Sequence, residues 1–132
     1  MADVQIKRVY EPAEEDDGYR VLVDRLWPRG VRKADLTLDR WAKELAPSTE
    51  ARRAFNHDPA KFDEFRARYT AELDTSAEAQ RVAGEVLGHG RVTLLYAAKN
   101  PTCNHALVLQ AWLQKDAARL LATAQGGAPE EA

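Results

Sequence analysis

The sequence predicts an α/β fold: a small three-layer, Rossmann-like domain with a short mixed or parallel sheet flanked by helices. Three observations lead there. Two nearly continuous apolar runs, Tyr19 to Val23 and Val92 to Ala98, lack the polar alternation of a half-exposed strand and read as strands covered on both faces. Helical stripes and caps fill the stretch between them, which suits a crossover joining parallel neighbours. Both runs break into polar clusters at their carboxyl ends, where open α/β sheets hold ligands.

The first strand is Val4 to Val9, with Val4 and Ile6 on the core face. The loop after it, Glu11 to Gly18, carries five carboxylates and offers no apolar face. That loop is too short for a helical crossover, so strand one is expected to pair antiparallel. Arg25 to Lys33 contains Pro28 and Gly30 and reads as irregular. Asp39 is placed to cap a short helix bearing Leu38, Trp41 and Leu45, stopped by Pro47, and Ser48 caps the next, with Ala51 and Phe55 inward.

Asp58-Pro59 is a capping residue followed by proline, and Phe62, Phe65, Tyr69 and Leu73 recur behind it at spacings of 3, 4 and 4. Thr75 with Glu78 fits a capping box, Val82, Val86 and Leu87 form a buried face, and Gly88-His89-Gly90 ends the helix. Asn104 opens one last helix, whose stripe of Ala106, Leu109, Leu113, Ala117 and Leu120 runs unbroken. Residues 1–124 are expected to form one α/β domain, with 125–132 a disordered acidic tail.

Composition narrows the function. The chain has 132 residues, 45% apolar and 30% charged, and 19 Lys and Arg against 21 Asp and Glu leave a net charge of −2. A duplex binder held mainly by electrostatics shows a strongly basic balance, so that description fails for the chain as a whole, although local patches stay open. Cys103 is the single cysteine, which rules out an internal disulfide and a cysteine zinc site. The start lacks a signal-peptide pattern, and no apolar run reaches the roughly 18 residues of a membrane span. A cytoplasmic protein with no membrane association is expected. The sequence has no glycine-rich phosphate loop, Walker motif or metal box, so no cofactor and no metal are assigned.

The two strand ends supply the candidate site. One carries Asp24, Arg25, Trp27, Arg29 and Gly30; the other carries Tyr96, Lys99, Asn104 and His105. A helix starting at Asn104-His105 would aim free backbone N–H groups into a shared crevice, and Arg25, Arg29 and Lys99 add donors suited to phosphate or carboxylate. The expected ligand is therefore a small anion. Asp24 reads either as an ion-pair partner or as a general base, and His105 either as a structural histidine or as a proton carrier. Asn104 reads most simply as a helix cap. Trp27 and Tyr96 serve packing or a stacked base. Cys103 lacks an obvious dedicated base, and His57 and His89 fall in exposed loops.

Gly18 to Gly30, reading Gly-Tyr-Arg-Val-Leu-Val-Asp-Arg-Leu-Trp-Pro-Arg-Gly, is similar to the YeaO-like proteins of the bacterial domain-of-unknown-function family 488. Lys7 to Tyr10, Ala46-Pro47-Ser48, Thr93 to Asn100 and Asn104-His105-Ala106 agree as well, so the resemblance spans residues 4 to about 114. It implies a cytoplasmic bacterial protein and no assigned reaction. More distant members resemble a Cys-His-Arg pattern where this chain has Asn104-His105-Ala106; the histidine is kept, and Cys103 stands one position early. A thiol mechanism is not carried over.

The leading expectation is an anion-binding crevice for a phosphorylated or nucleotide-like molecule, with Asp24 and His105 as the acid/base pair if chemistry occurs. The alternatives are a nucleic-acid accessory module using Arg25, Arg29, Arg32 and Lys33 on phosphates, and a protein-interaction domain without a reaction.

Overall fold

The computed structural model describes residues 3–124. Four strands, β1 (Asp3–Arg8), β2 (Tyr19–Leu22), β3 (Arg40–Trp41) and β4 (Arg91–Tyr96), form one sheet in the order β1-β4-β2-β3. Every neighbouring pair is parallel. Five helices complete the α/β fold: α1 (Thr49–Phe55), α2 (Phe62–Thr75), α3 (Ala77–Leu87), α4 (His105–Lys115) and α5 (Ala117–Ala124). Among the described residues no helix is long and apolar enough to cross a membrane. The expected acidic tail, 125–132, lies outside the described residues.

As the two apolar runs suggest, β2 and β4 are adjacent and parallel, with Val21 in register with Leu94. Side-chain alternation divides their residues between two cores. Val21, Val23, Val92 and Leu94 join residues of all five helices in the main cluster, whereas Leu22 and Leu95 face a smaller one with Val9 and Leu36. Trp27, Val31, Leu38 and Trp41 pack against the smaller cluster. Both faces are covered, which is why the strands read as continuously apolar. The layer on the second face is built from loops and 3-10 turns, however, where helices were expected.

Strand β1 runs parallel, not antiparallel. The expectation assumed that strands one and two are neighbours, but β4 inserts between them and pairs with both. The connection, residues 9–18, therefore crosses β4, with a 3-10 turn at Glu15–Asp17. It is held there by a buried polar network. Asp17, 2% exposed, accepts bonds from Lys7 Nζ at 3.2 Å and from the Glu14 N–H at 3.0 Å, and pairs with Arg20 of β2. The Thr93 hydroxyl of β4 donates to the Asp17 carbonyl at 2.7 Å and accepts from Gln5 of β1 at 2.7 Å.

Three further boundaries differ from the sequence reading. Asp39 caps no helix: its carboxylate accepts the Arg20 N–H at 2.8 Å and its own N–H donates to the Arg20 carbonyl at 2.9 Å, which docks β3 on β2. The cap of α3 is Ser76, whose hydroxyl accepts from the Ala79 N–H at 3.1 Å, while Thr75 bonds back to the Ala71 carbonyl at 2.9 Å. The single C-terminal helix is two, bent at Asp116 (φ −106, ψ 16), and the bend lets α5 lie along α3. No Gly or Pro marks that break, so helical periodicity alone passes over it.

Gly18 and Gly30 give a paired test of the backbone. Both have positive φ, +67 and +79, but a Cβ at Gly18 would sit 2.4 Å from the Arg91 carbonyl oxygen, while one at Gly30 meets nothing within 4 Å. Gly30→Ala should cost about 1 kcal/mol from conformation alone, and Gly18→Ala about 3 kcal/mol or more, because strain and a backbone clash add. Chemical denaturation midpoints check the ranking; equal losses would contradict it.

Asp17 predicts an acid dependence. Burial raises its pKa, but the bonds from the Glu14 N–H, Lys7 and Arg20 outweigh burial and hold it below its ordinary 3.8. Its folded pKa being depressed, the carboxylate contributes stability above the unfolded value, and that contribution fades as pH falls through the folded one. Asp17→Asn should thus be clearly less stable than the parent at neutral pH, with the gap in urea midpoint narrowing below about pH 4. A gap that is independent of pH would show that the pairing carries no charge dependence.

Candidate functional site

The carboxyl ends of β2 and β4 meet the first turn of α4, and three bonds lock the junction. Asp24 Oδ2 accepts the Ala97 N–H at 3.1 Å, and the Trp41 indole N–H donates to the Asp24 carbonyl at 2.8 Å. His105 Nε2 lies 3.1 Å from the Val23 carbonyl oxygen and 3.0 Å from Asp24 Oδ1. Both neighbours of Nε2 are acceptors, so this nitrogen carries the hydrogen, and in the neutral ring Nδ1 is the bare position. Asp24 Oδ1 thus lies within reach of Nε2, but the hydrogen goes to the Val23 carbonyl and leaves this buried carboxylate oxygen without a hydrogen-bond partner.

The loop into α4 is fixed internally. The Asn104 Oδ1 caps the helix by accepting the Leu107 N–H at 3.0 Å, and its amide nitrogen donates to the Asn100 carbonyl at 2.8 Å. Asn100 Oδ1 in turn accepts from the N–H groups of Thr102, at 2.9 Å, and Cys103, at 3.1 Å. Arg8 of β1 reaches the same loop, donating to the carbonyls of Ala98 at 3.0 Å and Ala97 at 3.2 Å. Asn104, 1% exposed, therefore shapes the loop.

Beside this junction opens a cleft of about 1010 Å³. Arg25, Arg29 and Lys99 line it, together with Asp24, Trp27 and His105. Arg25 is half-buried and donates through Nε to the Pro47 carbonyl at 3.1 Å, just before α1. Trp27 is held by its indole N–H on the Val31 carbonyl at 2.6 Å and packs edge-on to Trp41 with ring centroids 5.3 Å apart. Two candidates stand elsewhere. Tyr96, 4% exposed, points into the main core because it shares the alternation of Val92 and Leu94, and burial raises its phenol pKa. Gly30 is an exposed turn residue outside the cleft wall.

Sequence reading missed one whole wall. Arg52, Arg53, Asn56 and His57, from the end of α1 and just beyond, line the same cleft as the strand-end loops. Two arginines in the last turn of a short helix look like ordinary partners of the helix dipole, and that hid them. The available signal was Asn56-His57, where the chain takes two successive positive φ values, 48 and 55, at non-glycine residues. The start of α1 is pinned by Glu72, whose carboxylate accepts from both the N–H and the hydroxyl of Ser48.

The electrostatics of the cleft oppose those of the chain. Five Lys and Arg line it against one carboxylate, Asp24, although the chain is net −2; without these six residues the rest holds 14 basic against 20 acidic. Nine other Lys and Arg make ion pairs, and among the described residues none of the cleft's five does. Arg32, by contrast, is paired to Asp35 at 2.7 Å, and Lys33 lies over the Trp27 ring. The described residues contain no group of three or more His, Cys, Asp or Glu placed to hold a metal.

Comparison with known proteins adds a family. Residues 3–130 match the family model described as the inactive DUF488-N3 subclade. The chain is 52% identical over 112 residues to the uncharacterized protein YeaO of Escherichia coli strain K12, covering 85% of this chain and 97% of that one. It is 44% identical over 106 residues to the uncharacterized protein Rv3073c of Mycobacterium tuberculosis strain H37Rv, covering 80% of this chain and 89% of that one. No solved structure matches it.

The junction makes a spectroscopic prediction. In mildly alkaline buffer, nitrogen-15 NMR of His105 should show a protonated Nε2 and a bare Nδ1. The opposite tautomer would place a lone pair against two acceptors and would overturn the assignment.

Proposed function

Because this chain belongs to the inactive DUF488-N3 subclade, the family of YeaO-like proteins, we propose that its cleft binds a phosphorylated or nucleotide-like anion without transforming it. The observation that carries this reading is the set of five cationic side chains on the cleft wall, none of them in an ion pair among the described residues. Arg25, Arg29 and Lys99 hold the anion, joined by Arg52 and Arg53, and the arginines suit phosphate oxygens through paired donors. Trp27 gives an apolar wall. Asn104 and Gly30 shape the two loops, and Tyr96 supports them from the core.

Asp24 and His105 act in this reading as positioning residues. A general acid or base needs a proton free to move toward substrate. The Nε2 hydrogen of His105 instead goes to the Val23 carbonyl, tying β2 to α4, and Asp24 holds the Ala97 N–H through Oδ2. The pair thereby fixes the two loops that carry Arg25, Arg29 and Lys99. The family's inactive designation accords with such a role.

Thermal unfolding tests the proposal. Inorganic phosphate or a mononucleotide at about 100 times its Kd should stabilise the protein by about 2.7 kcal/mol. Arg29→Ala should remove that shift, whereas Arg32→Ala, outside the cleft, should keep it. Failure of every phosphorylated probe to move the transition would defeat the reading. Oligonucleotide binding with a steep salt dependence, lost in Arg32→Ala, would favour the nucleic-acid alternative.

A further inference from the structure

We infer that the ligand of this cleft carries two phosphoryl groups, in the manner of a nucleoside diphosphate; the inference rests on the anion-binding reading above and makes it more specific. Charge comes first. Five Lys and Arg against one carboxylate leave four net positive charges on the wall. One oxygen of that carboxylate is moreover engaged by the Ala97 N–H. A phosphate monoester brings roughly −1.5 to −2 at neutral pH. Placed alone here it would leave at least two of the cleft's positive charges without a counter-charge. A second phosphoryl group supplies the missing negative charge.

Placement agrees with the count. The cations come from three stretches of chain: Arg25 and Arg29 from the loop after β2, Lys99 from the loop after β4, and Arg52 and Arg53 from α1. The bond from Arg25 Nε to the Pro47 carbonyl ties the β2 loop to the residue two before α1. Glu72 pins the start of the same helix through Ser48. The two arginine groups are thus held by fixed backbone, not by flexible tails. One tetrahedral anion has few oxygens to share among four guanidinium forks, while a diphosphate presents two sets.

Size points the same way. The cleft, at about 1010 Å³, is at the upper end of small-molecule sites, which run to roughly 1,000 Å³ and are lined partly by aromatic side chains. Trp27, Phe55 and Phe65 supply that apolar share, so room remains for a base and sugar beside the phosphoryl groups.

Titration calorimetry at fixed ionic strength, with phosphate, pyrophosphate, AMP, ADP and a ten-nucleotide oligothymidylate as probes, decides the matter. ADP should bind at least about tenfold tighter than AMP, and pyrophosphate at least about tenfold tighter than phosphate. Arg29→Ala and Arg52→Ala should each weaken ADP about tenfold or more and bring it close to AMP. Both side chains are exposed, so unchanged melting temperatures of the free variants confirm that the fold is intact. Equal affinity for AMP and ADP, with binding still lost in Arg29→Ala, overturns the two-phosphoryl inference and leaves anion binding standing. Absence of binding by all four small probes overturns both. An oligonucleotide that binds tighter than ADP overturns the small-ligand assignment in favour of a nucleic-acid strand.

Discussion

Asp17 sits almost fully buried where the chain crosses from β1 to β2, and it gathers Lys7, Arg20 and the Glu14 N–H around one carboxylate. An ionised group removed from water is tolerated only when its oxygens are paired in this way. Its backbone carbonyl takes the Thr93 hydroxyl, so one residue ties β1, β2 and β4 together. Beyond it the ten residues of the connection are held by fewer links, the Val9 N–H on the Tyr96 carbonyl and Lys7 on Glu14 among them. The cleft sits on the carboxyl ends of those two strands.

From that frame the site follows in order. Adjacent β2 and β4 bring Asp24 to Ala97, and α4 brings His105 to Val23 and Asp24. The polar junction closes the strand ends and leaves the flanking loops to project their cations. A second cavity of about 580 Å³ also has Arg25 in its wall, together with Lys43, Glu44, Glu72 and Glu78. Arg25 is thus common to both hollows, and its Nε donates to the Pro47 carbonyl.

Much of this was legible in the sequence. Unbroken apolar runs gave the parallel pair of central strands, and the polar breaks after Val23 and Ala98 marked the ends that meet. What escaped had physical causes. Strand β3 is two residues long and exists through bonds to Arg20 and Leu22, so no local periodicity announces it. The direction of β1 depends on which strand it neighbours, a fact that loop length cannot carry when a later strand intervenes. The α1 wall was hidden because Arg52 and Arg53 satisfy a helix end as well as a ligand would. Tyr96 was placed in the site by chain proximity, and alternation along the strand sent it to the core.

The strand that completes the sheet is also the last to be made. Gln5 and Thr93, which bond directly, are 88 positions apart, and β4 separates β1 from β2 along its length. A nascent chain ending before β4 would hold two strands with no neighbour between them and four acidic or basic partners without a floor. Productive assembly must therefore wait for the final third of the chain, and loop-closure entropy is paid before the long-range pairing returns it. The order of synthesis thus makes this a protein whose ribosome-bound intermediates expose bare strand edges, the situation in which chaperones are most useful.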